Sequence, residues 1–98
     1  MRLFNPQEVI DLHALGFHVN NGEARIGRGD RGIAVYCSEW FTECERRRGV
    51  FAPDFGKPFL ADPDAGFFVL LRKFNFVEFD DPITAAIWLI TEHSNRLS

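Results

Sequence analysis

Cysteine is nearly absent: Cys37 and Cys44 are the only two in 98 residues. A small secreted scaffold stapled by disulfides carries four or more, so that class is set aside. Long hydrophobic runs are missing as well. None reaches the roughly 18 residues that a bilayer-spanning helix needs. The opening Met1-Arg2-Leu3-Phe4-Asn5-Pro6 lacks the apolar stretch of a secretory signal. These absences lead us to expect a cytoplasmic protein with no membrane partner. There is no basic excess either. Eleven Lys and Arg stand against fourteen Asp and Glu, a net charge of −3. Sequence-independent nucleic-acid binding rests on a net basic domain or a basic stripe, so direct binding to nucleic acid is not expected.

What is there is ordinary in bulk, with 46% hydrophobic and 26% charged residues, values of a globular chain and not of a disordered or fibrous one. Eleven phenylalanines are the exception. The length fits one domain over residues 1–98. A domain this small buries only about 60–70% of its unfolded surface, so its stability margin is narrow and nothing polar inside it can lack a partner.

Local signals organise the chain. Asn5, Pro6 and Glu8 form a capping-box start, Val9, Ile10, Leu12 and Leu15 an apolar face, and Gly16 a left-handed stop. This predicts a helix over 6–15. Phe17 to Tyr36 reads as a meander of short strands. Asn21-Gly22 predicts a type I′ hairpin turn with positive φ at both residues, and 29–32 makes the next turn. Ser38 to Arg48 predicts a second helix, acids early and Arg46–Arg48 late, in the order that complements the helix dipole. A rival reading extends the preceding strand through Phe41. Residues 49–66 hold Pro53, Pro58 and Pro63, which oppose the helical spacing of Phe51, Phe55 and Phe59. The result is a long apolar loop, a kind usually docked or functional. Phe67 to Phe79 is strand-like, with a bulge or reversal at Asn75. Asp81 and Pro82 open a last helix that continues to His93. The predicted fold is α+β: an antiparallel sheet of about four to five strands packed against two to three helices.

Motifs that spell chemistry do so out of context. Gly27-Arg28-Gly29-Asp30-Arg31-Gly32 matches GxGxxG, but that motif must follow a strand and open a helix, and here a strand-like segment follows. Arg28-Gly29-Asp30 is the integrin tripeptide without a secretory signal. Asp54-Phe55-Gly56 copies a kinase motif without the rest of a kinase. Cys37 and Cys44 are separated by six residues, wider than common zinc knuckles, and His13 and His18 straddle Gly16. Cys44 sits four residues after Trp40, a spacing for packing and not for nucleophilic attack. Ser38 reads as a cap. Asp62-Pro63-Asp64 is turn chemistry. No catalytic residue, metal site or cofactor is predicted.

Two features exceed what a bland domain needs. Phe67 to Leu71 is apolar on both strand faces, which calls for a central or covered strand. The last helix is apolar around most of its circumference, with Ile83, Ala86, Ile87 and Ile90 expected toward the sheet and Trp88 and Leu89 to the sides. Aromatic excess without a chemical constellation points to protein–protein contact. The expected function is therefore a non-catalytic interaction module, a small stoichiometric inhibitor or adaptor. Phage or mobile-element inhibitors of host nucleic-acid-handling defence complexes are of this general type. Its partner would be another protein or a second copy of itself, held through Phe51, Phe55, Phe59, Asp62, Asp64 and Trp88. The alternatives are a small enzyme or ligand-binding domain with a pocket under the 49–66 loop, and, further off, a nucleic-acid-binding module using the basic residues from Arg25 to Arg48.

Overall fold

The first helix begins where the sequence predicts it. The computed structural model describes residues 2–27, 33–48, 66–72 and 75–93. In it α1 spans Pro6–Ala14. The Asn5 side chain accepts from the Glu8 backbone N–H at 2.8 Å, and the Glu8 carboxylate accepts from the Asn5 N–H at 2.9 Å. That reciprocal pair is the capping box. At the other end Gly16 takes a φ of +95°. The Gly16 N–H donates to the His13 carbonyl and the Phe17 N–H to the Leu12 carbonyl, both at 2.9 Å. This is a Schellman closure.

Among the described residues five strands follow and pair antiparallel in chain order, with a helix inserted between the third and the fourth: β1 (His18–Asn20), β2 (Glu23–Ile26), β3 (Ile33–Cys37), β4 (Phe67–Arg72) and β5 (Asn75–Phe79). Asn20 pairs directly with Glu23, so Asn21-Gly22 is the predicted two-residue loop. Its geometry departs from the expectation. Asn21 has a φ of +56°, but Gly22 is not in the left-handed region. Glycine is needed there for space: a Cβ on Gly22 would stand 2.6 Å from the Trp40 Cβ.

The chain turns into helix at Ser38 because the sheet stops there. The Cys37 N–H donates to the Gly22 carbonyl at 2.8 Å and the Ser38 N–H to the Gly66 carbonyl at 2.9 Å. Among the described residues neither β2 nor β4 offers β3 a partner beyond those bonds. Helix α2 therefore runs Ser38–Arg48, and the strand-extension reading fails. The β4–β5 ladder shifts register between Leu70 and Arg72, and Asn75 opens β5 opposite Arg72. Helix α3 spans Pro82–His93. The Asp81 carboxylate accepts from the Thr84 N–H at 2.8 Å and from its hydroxyl at 2.9 Å, as an N-cap should.

Helix α3 lies across β3, β4 and β5, and α1 lies beside β1 and α3, so both cover one face of the sheet. That face contributes Ala24, Val35, Cys37, Phe67 and Val69 to the core, where Leu12, Phe17, Ala85, Ala86 and Leu89 meet them. Each large side chain among these stabilises the fold by roughly 1.5–3 kcal/mol relative to exposure. Ala85 and Ala86 are fully buried, which lets the backbone of α3 approach the strands closely. This choice of face corrects the sequence expectation. Leu89 points inward and Ile87 is 51% exposed.

The double-sided apolarity of β4 is satisfied within the chain at Phe67, Phe68 and Val69, all buried. Phe68 points away from α3. Its ring is 5.4 Å from that of Tyr36 on β3 and 5.1 Å from that of Phe41 on α2, the latter edge-on at 88°. Edge-to-face and offset rings at this spacing add attraction beyond area burial.

Candidate interaction surface

The reactive groups of the described residues are held apart. Cys37 and Cys44 are free thiols. Burial pushes the Cys37 thiol up to about 12 from an ordinary value of 9.0, so at neutral pH it is a packed, protonated thiol and not a nucleophile. Ser38 is buried, and its hydroxyl has no hydrogen-bond partner among the described residues, so it caps nothing. His13 and His18 are exposed. Among the described residues no three His, Cys, Asp or Glu side chains converge as metal ligands would, and no helix is long and apolar enough to cross a membrane. The glycine-rich segment joins two antiparallel strands, with Ile26 paired to Ile33, so no phosphate-binding helix follows it.

The sheet face away from α1 and α3 changes character along its width. At β1 and β2 it carries exposed His18 and Asn20 beside Glu23 and Arg25. The Arg25 guanidinium lies 3.4 Å from the Glu23 carboxylate and donates to the Tyr36 hydroxyl at 3.3 Å. Burial raises the Tyr36 phenol, the Glu23 charge adds to that shift, and Arg25 opposes it. From Tyr36 onward the face is the aromatic cluster of Tyr36, Phe41 and Phe68.

The two edges of the sheet differ more sharply. Strand β1 has three residues, His18 and Asn20 among them, both exposed. Strand β5 has five, Asn75-Phe76-Val77-Glu78-Phe79, with one charge. On the apolar face Val35 and Val69 are fully buried, but at β5 both Val77 and Phe79 keep surface in water. Trp88 of α3 does the same, its ring 5.7 Å from that of Phe79 and tilted by 53°. The hydrophobic core thus runs out to solvent along β5.

Of the predicted interface residues, Trp88 sits on this edge. Phe51, Phe55, Phe59, Asp62 and Asp64 lie outside the described residues, as do the Arg28-Gly29-Asp30 and Asp54-Phe55-Gly56 motifs and the loop proposed to roof a pocket. The side chains of Arg46, Arg47 and Arg48 lie outside them too. Sequence reasoning missed three exposed aliphatic residues: Leu3 at 39%, Ile10 at 60% and Ile87 at 51%. Ile10 was expected on the apolar face of α1, but Val9 and Leu12 define that face, and a 100° step per residue carries Ile10 off it. The signal was present in the spacing. No family model matches the chain, and neither does any curated protein or solved structure.

Proposed function

We propose that this protein is a non-catalytic protein–protein interaction module, a stoichiometric inhibitor or adaptor that works in a reducing cytoplasm. It would be of the kind that phages and mobile elements direct at nucleic-acid-handling defence complexes. One observation carries the binding role: the apolar face of the sheet continues past its covered part to Val77, Phe79 and Trp88 at the β5 edge. Exposed aliphatic residues scattered singly, such as Ile10, are ordinary on a folded surface. A partly open extension of the core is different, because a partner laid on it removes apolar surface from water at roughly 25 cal/mol per Å². Two free thiols and a net charge of −3 support the compartment and the type.

The test is affinity capture from the source cell with quantitative mass spectrometry, comparing wild type with Val77→Lys. A lysine on a strand edge blocks further pairing, and its stem can lie along apolar surface with the ammonium in water. The proposal expects a stoichiometric protein partner, or the protein itself, to be held by wild type and lost by a Val77→Lys variant that melts normally. If wild type holds nothing and does not self-associate, the reading is wrong.

A further inference from the structure

We draw no further inference here: the strongest candidate, the partly open apolar margin of Val77, Phe79 and Trp88 along the β5 edge of the sheet, belongs to the surface already described, and nothing in the structure shows what covers it.

Discussion

Trp88 and Phe79 pack ring against ring, 5.7 Å between centroids, and so tie the last helix to the last strand. Both keep part of their surface in water. This contact supports the fold and also borders the surface proposed to bind. Trp88→Ala should cost roughly 2–3 kcal/mol, below the 3–5 of a fully buried aromatic because the loss of burial is partial. Trp88→Phe should cost less than half of that. Denaturant unfolding measures both, and a Trp88→Ala variant as stable as wild type would show that the ring is not packed as described.

Gly22 and Trp40 are a second coupled pair. Since a Cβ on Gly22 would stand 2.6 Å from the Trp40 Cβ, Gly22→Ala should destabilise by about 1–3 kcal/mol through overpacking. In a Trp40→Gly background, which removes that Cβ together with the ring, the same change should cost little. A double-mutant cycle measures the coupling. If the two losses simply add, the glycine serves the turn and not the tryptophan.

Glu8 serves two groups. Its carboxylate closes the capping box and lies 2.8 Å from the Arg2 guanidinium, which also stands 4.9 Å over the Phe67 ring. Glu8→Ala removes both contacts and should cost about 1–2 kcal/mol. Glu8→Gln keeps an acceptor for the Asn5 N–H and loses only the charge, so about 0.5 kcal/mol is expected. Thermal melts of the two variants should rank in that order. Equal losses in the two variants would mean that the ion pair, not the cap, matters.

Cys37 predicts an alkaline limit to stability. In the unfolded chain its thiol ionises near 9.0, whereas in the folded chain burial holds it protonated up to about 12. Between those values the folded state binds more protons, so stability is complete below about pH 9 and falls as pH rises toward 12. Tyr36, also raised by burial, acts in the same direction at higher pH. The urea midpoint should therefore drop between about pH 8 and about pH 10.5, less steeply in Cys37→Ala. A thiol reagent should leave Cys37 untouched in native protein and count two thiols in denaturant. Rapid modification of Cys37 in native protein would contradict its burial.

The elements were legible where their signals are local. Asn5 with Glu8, Gly16, Asn21-Gly22 and Asp81-Pro82 act within a few residues of themselves, so helix starts, a helix stop and a hairpin could be placed without knowing the fold. The direction in which α3 faces was not legible. Ile83, Ala86, Ile87 and Ile90 offer as apolar a stripe as Pro82, Ala85, Ala86 and Leu89; the choice between them is made by how closely small side chains let the helix approach the sheet. The role of Gly22 was hidden for a similar reason, since Trp40 reaches it only after α2 turns back over the hairpin. Of the candidate site, Trp88 was visible as an excess aromatic. Val77 and Phe79 were not singled out, because their partial exposure follows from β5 ending the sheet, and strand order is a property of the whole chain.

The claim that the core's open margin at β5 is a binding surface is tested most directly by affinity capture from the source cell with wild type and Val77→Lys as baits, read by quantitative mass spectrometry. The account predicts that wild type holds a protein, or a second copy of itself, in stoichiometric amount while Val77→Lys holds none, with the two proteins melting alike. Nothing held by wild type, or equal capture by wild type and variant, would contradict it.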